Sequence, residues 1–194
     1  MLRKLLIISC LFSTGTIFAQ EGVRPSSGVN IRQTGSASSR QMTEKTSGIS
    51  AEVTDYKAIG TPLPNFMVKT IDGKIITNKD VQYNGNLLLM LFNPTCSHCE
   101  NMTELLEKNI ALFNKTKLLM VATPGMEPYM QEFERRHRTK EYAPIWLTND
   151  STKLIDRIFT YKMLPQINVY DKNRNLIKSF NGDISIDSLK EYIQ

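Results

Sequence analysis

Six consecutive apolar residues, Leu87-Leu88-Leu89-Met90-Leu91-Phe92, stop abruptly at Asn93-Pro94. A run this short and this uninterrupted suits a strand covered on both faces, the central position of a sheet between helical layers. Pro94 biases Asn93 toward an extended backbone and helps end the strand before a turn. From Ser97 to Asn114, Met102, Leu105, Leu106, Ile110 and Phe113 recur at helical spacing, and Lys117 to Ala122 returns to an apolar strand. A strand-helix-strand unit is therefore expected, with the buried strand feeding directly into a helix start.

The neighbouring segments extend the pattern. Phe66 to Thr70 and Lys74 to Thr77 read as strands around an Asp72-Gly73 turn, a strong hairpin signal. Glu127 to Thr139 is a second helix, Ile145 to Leu147 a short apolar segment, and Thr152 to Phe159 a third helix. Ile167 to Tyr170 and Leu176 to Phe180 form a second hairpin about residues 171 to 175, and Ile186 to Ile193 closes with a helix. Strands alternating with helices argue for an α/β domain, a mixed central sheet flanked by helices, with an added N-terminal β-hairpin. Residues 58 to 194 are enough for one buried core.

Ahead of that domain the composition changes. Arg3 and Lys4, the apolar stretch Leu5 to Phe12 and the small residues before Ala19 have the layout of a secretory signal over residues 1 to 19, with cleavage expected after Ala19. The stretch is short of the roughly 20 apolar residues of a membrane-spanning helix, which makes an uncleaved anchor the lesser reading. Residues 20 to 57 hold seven Ser, four Gly and four Thr without hydrophobic periodicity, as a flexible spacer does. The formal charge of +5 divides into +2, +1 and +2 over residues 1–19, 20–57 and 58–194, so no basic face for nucleic acid is concentrated anywhere.

Cys10 falls in the signal, which leaves Cys96 and Cys99 as the pair that needs a chemical explanation. Three apart at a helix start, they lie about one turn from each other, within reach of a disulfide. Cys96, at the first turn, meets unpaired backbone N–H groups that favour a thiolate; Cys99 lies one turn deeper. Cys96 is thus the expected nucleophile and Cys99 the resolving thiol. His98, when protonated, stabilises the Cys96 thiolate, whereas Glu100, four residues after Cys96 on the same side, opposes it. The direction of electron flow stays open.

Other uses of the pair compete with this one. A purely structural disulfide across so few residues restrains little chain entropy. Two buried reduced cysteines fit the apolar helix face, but Ser97 and His98 do not suit a core. A zinc site lacks a second close pair of ligands, since His137 is 38 residues beyond Cys99. A binding or metal-carrier module using both thiols as ligands remains the alternative to a redox enzyme. A peroxide-reducing site would place its proline and threonine farther ahead of the cysteine than Pro94 and Thr95 are.

Three further segments stand in a telling order. Ile59-Gly60-Thr61-Pro62-Leu63-Pro64-Asn65-Phe66 leads the domain, the Asp72-Gly73-Lys74 hairpin and the C-x-x-C follow, and Tyr161-Lys162-Met163-Leu164-Pro165-Gln166 precedes the terminal hairpin. This set, from about Ile59 to Gly182, resembles the exported thioredoxin-fold thiol-disulfide oxidoreductases of the TlpA/ResA group. The resemblance implies a thioredoxin-like fold, a cis Pro165 facing the Cys96 sulfur, and the backbone of Leu164 as a site where an incoming peptide pairs. It also implies protein thiols or disulfides as substrates, no cofactor beyond the cysteine pair, a membrane electron carrier as partner, and a periplasmic or otherwise exported location. Two positions depart from the pattern: Met90 and Met102 stand where such proteins keep buried acids. Thr103, one turn beyond Cys99, or a water is then the candidate proton acceptor for Cys99. Arg135, Arg136, Arg138 and Lys140, interleaved with Glu132, Glu134 and Glu141, are expected to form a solvated helix face.

Overall fold

A computed structural model describes residues 55–193. The signal-like segment, Cys10 and all but the last residues of the spacer lie outside the described residues. The elements run β1 (Met67–Thr70), β2 (Ile75–Thr77), β3 (Leu87–Phe92), α1 (Ser97–Lys108), β4 (Lys117–Ala122), α2 (Glu127–His137), β5 (Ile145–Asn149), α3 (Leu154–Ile158), β6 (Gln166–Tyr170), β7 (Leu176–Asn181) and α4 (Ile186–Ile193).

The seven strands form one sheet in the order β2-β1-β5-β4-β3-β6-β7. β3, β4 and β5 are parallel, as strand-helix-strand connections require, while β6 runs antiparallel to β3. β3 is buried at every residue. Its Leu88, Met90 and Phe92 face one core with Leu106 of α1, Phe133 of α2 and Leu189 of α4. Leu87, Leu89 and Leu91 face the other, with Leu63, Phe66, Ile155 and Phe159. This period-two division explains an unbroken apolar run: both faces of the strand are interior. The N-terminal hairpin joins the same sheet through Lys69 and Thr70 of β1, opposite Asn149 and Thr148 of β5.

Several boundaries differ from the sequence expectation, α2 among them, which ends at His137 instead of Thr139; three of the differences arise through a polar side chain. α1 stops at Lys108 instead of continuing to Asn114, because Asn109 donates its side-chain amide to the Leu105 carbonyl (2.8 Å) and the chain tightens into a 3₁₀ turn, Ile110–Leu112. β5 continues past Leu147 to Asn149; Thr148 is buried there with its hydroxyl donating to the Met120 carbonyl at 2.8 Å. α3 begins at Leu154 because buried Asp150 holds the turn before it. One carboxylate oxygen accepts from the Thr152 N–H and hydroxyl, and the other accepts from the Ile155 N–H.

Candidate active site

The end of β3 and the first turn of α1 are joined by a turn that Asn93 builds. Its side-chain oxygen accepts the Thr95 N–H and hydroxyl, each at 2.8 Å, and its carbonyl accepts the Cys96 N–H at 3.1 Å. Cys96 becomes the N-cap of α1, with φ −95° and ψ 122° and no side-chain cap bond, so its sulfur is free of the helix and half-buried. Cys99 is the opposite case. It is fully buried (0% exposed) among apolar side chains that include Met90 and Met102, and both cysteines are present as free thiols.

That difference has an electrostatic consequence. Burial pushes the Cys99 thiol up to about 12, with Cys96 and Asp183 adding in the same direction and the Asn93 N–H, 3.4 Å from the sulfur, partly offsetting them. Thr103, a candidate acceptor for the Cys99 proton, is differently engaged: its buried hydroxyl donates to the Cys99 carbonyl at 2.8 Å. The thiol of Cys99 is raised above its ordinary 9.0, so its neutral form stabilises the fold fully below that value. That contribution is lost as pH climbs toward about 12. Iodoacetamide at pH 8 is accordingly expected to modify Cys96 and spare Cys99 in the native reduced protein, and to modify both in denaturant. Peptide mass spectrometry reads the outcome.

Leu164 and Pro165 reach the same end of the sheet. The Leu164–Pro165 peptide is cis, and β6 begins immediately after it with Gln166 opposite Leu91 of β3, two residues before Asn93. The Pro165 carbonyl accepts the Gly182 N–H at 2.8 Å, which fastens this loop to the end of β7. Met163, 60% exposed, leans over Gly182, where a Cβ would come within 2.6 Å of its sulfur; the positive φ of 75° at Gly182 likewise favours glycine.

His98 points to solvent and lies 2.9 Å, through Nδ1, from Asp183 on the segment between β7 and α4. Glu100 does not stand as a lone negative charge. Arg136, 36 residues onward in α2, forms an ion pair with its carboxylate and donates a second bond to the Pro94 carbonyl at 3.3 Å. Arg135, Arg136, Arg138 and Lys140 are exposed, as expected of a solvated face; within it Arg135 pairs with Glu132 of its own helix, while Arg136 reaches to α1. Asp183 and the inward turn of Arg136 escape sequence reasoning, because both contacts join segments far apart in the chain. Asn93 had one local signal, an Asn three residues ahead of the N-cap Cys96. Among the described residues no three His, Cys, Asp or Glu side chains are grouped to hold a metal ion.

The same arrangement of strands and helices occurs in solved structures. The DsbF protein of Mycobacterium tuberculosis, solved in mixed oxidised and reduced forms, superposes with a TM-score of 0.57 at 21% identity, over 66% of this chain and 92% of that one. StoA of Bacillus subtilis gives 0.55 at 16% identity over 70% and 99%. The thioredoxin domain of a Bacteroides vulgatus thiol-disulfide oxidoreductase gives 0.58 at 16% identity over 71% and 99%. The fold is thioredoxin-like. No family model matches the sequence, and no curated protein matches it. Within the thioredoxin-like fold, Cys96 and Cys99 stand where the central strand β3 passes into α1, and the cis-proline loop leads into the neighbouring strand β6.

Proposed function

We propose that this chain is an exported thiol-disulfide oxidoreductase that exchanges electrons with protein cysteines through Cys96 and Cys99. The observation that carries this reading is the inequality of the two sulfurs: one half-buried at a helix N-cap, the other one turn deeper and wholly buried. In reduction of a substrate disulfide, the Cys96 thiolate attacks one sulfur, forming a mixed disulfide and releasing the other substrate sulfur as a thiolate. Cys99 gives up its proton and attacks the Cys96 sulfur; the second substrate thiolate leaves, and the Cys96–Cys99 disulfide holds the oxidation equivalent. Oxidation of a substrate dithiol is the reverse sequence. In either direction two electrons pass, and no group outside the cysteines takes them.

The cis-proline loop supports the substrate side of this reading, with the Leu164 backbone as the pairing edge beside Cys96. Thiol-disulfide oxidoreductases are named among the structures that share the fold, one of them described as secreted. Export is further supported by the signal-like layout of residues 1 to 19, ahead of the spacer of residues 20 to 57 and the domain of residues 58 to 194. A membrane electron carrier is the partner that resets the pair.

Equilibrating the protein in glutathione and dithiothreitol buffers and counting thiols by mass tests the proposal. One two-electron transition with loss of both Cys96 and Cys99 thiols is expected. A midpoint near about −270 mV makes the chain a reductant and one near about −120 mV an oxidant. A pair that stays as two thiols in every buffer overturns the reading, as does tight uptake of one zinc or copper ion per chain with no reduction of insulin disulfides.

A further inference from the structure

We infer that Arg136 is a positioning residue for Cys96: by holding and pairing the Glu100 carboxylate it sets the charge that the Cys96 thiolate meets. This deepens the redox reading above and rests on it. The guanidinium of Arg136 bonds on both sides of the cysteine in sequence: to the carbonyl of Pro94, two residues before it, and to the carboxylate of Glu100, four residues after it. Glu100 sits one helical turn from Cys96 on the same side of α1, and its backbone N–H donates to the Cys96 carbonyl at 3.0 Å. Unpaired, that carboxylate disfavours an anion at the Cys96 sulfur. Paired, its charge is met at short range by a cation that also holds the preceding turn.

The pair is a surface contact between two helices: the side chains of Arg136 and Glu100 are 37% and 28% exposed, and the pair links α1 to α2. Arg136 also lies 6.0 Å from the Phe133 ring, which packs at 4.9 Å on Phe92, the last residue of β3. Glu132 stands behind it, 3.7 Å from the guanidinium Nε. The cation is therefore anchored by its own helix while it reaches across to the cysteine turn. The other titratable groups tied to this turn are Cys99, which interacts with Cys96 and Asp183, and His98, 2.9 Å from Asp183; none of the three is a hydrogen-bond or ion-pair partner of Arg136.

The test is the pH dependence of Cys96 alkylation, followed by peptide mass spectrometry in the full-length reduced protein, for the wild type, R136Q, R136K, E100Q and R136Q/E100Q. In R136Q labelling of Cys96 at pH 7 should slow about threefold, a discount for partial exposure being included. R136K should stay near the wild type, E100Q should label faster, and R136Q/E100Q should return to the wild-type rate. An R136Q profile that superimposes on the wild type, even with a lowered melting temperature, leaves Arg136 a merely structural link and overturns the inference. A slowing that persists undiminished in R136Q/E100Q also overturns it, because the effect then does not run through Glu100. Failure of the wild-type protein to form the Cys96–Cys99 disulfide is a separate result: it removes the redox reading itself.

Discussion

Exchanging Cys99 for serine should turn the protein into a trap, in which Cys96 captures a partner cysteine and cannot release it. The exposed sulfur keeps its place at the helix N-cap, so the first step proceeds. The buried sulfur that displaces the partner is gone, and serine is far too weak a nucleophile at that depth to replace it. A disulfide-linked species of the chain with its substrate should accumulate, visible on non-reducing gels and dissolved by dithiothreitol. Cys96→Ser should have the converse effect. A Cys99 thiol held at about 12 leaves on the order of 10⁻⁵ of it ionised at pH 7, so exchange should fall by about three orders of magnitude against an ordinary exposed thiol. Undiminished turnover in either variant would sink the assignment of roles.

The second large effect lies away from the cysteines. Arg174, in the turn between β6 and β7, is 3% exposed, and no carboxylate is among its hydrogen-bond partners. Its guanidinium instead donates to the carbonyls of Val81, Tyr83, Gly85 and Asp171, at 2.6 to 3.2 Å, and lies 4.3 Å from the centre of the Tyr83 ring. One side chain thus satisfies most of the loop that leads into β3. The loop has little room to rearrange, since a Cβ on Gly85 would stand 1.8 Å from the Lys115 carbonyl oxygen. Arg174→Met keeps the length of the side chain and strands the Val81 and Gly85 carbonyls, while those of Tyr83 and Asp171 keep the N–H groups of Gly85 and Arg174, and should cost about 3 kcal/mol, read as a lower midpoint in guanidinium chloride. Arg174 has φ 64°, and methionine suffers the same backbone strain as arginine there, so the loss reports the guanidinium. A midpoint shift worth less than about 1 kcal/mol would mean that water replaces the lost donors.

Legibility from sequence followed the range of the interaction. β3, β4 and α4 were readable because the burial pattern is written into consecutive residues: β3 and β4 coincide with apolar runs, and α4 with an amphipathic period. Cys96 and Cys99 could be singled out because their chemistry is local, whereas Pro165 stood out only through the resemblance of its loop to that of a known family. Helix ends were less clear. Asn109 and Asp150 end or delay a helix through bonds to backbone groups a few residues away, and apolar spacing carries no trace of such competition. Arg136 looked like one member of a mixed charge run, and nothing local separates it from Arg135. What separates them is a helix that arrives from elsewhere in the chain: Arg135 meets Glu132 on its own helix, Arg136 meets Glu100 on another. Thr103 was placed correctly one turn beyond Cys99, but a buried threonine hydroxyl in a helix turns back to the carbonyl four residues earlier.

The antiparallel pairing of β6 with β3 brings residues 163 to 165 beside a turn some seventy positions earlier, and Gly182 then ties that loop down. The turn that carries Cys96 and Cys99 therefore borders a loop that only the pairing of β6 with β3 and β7 holds in place. A shortened product ending before residue 163 would carry both sulfurs without that neighbour.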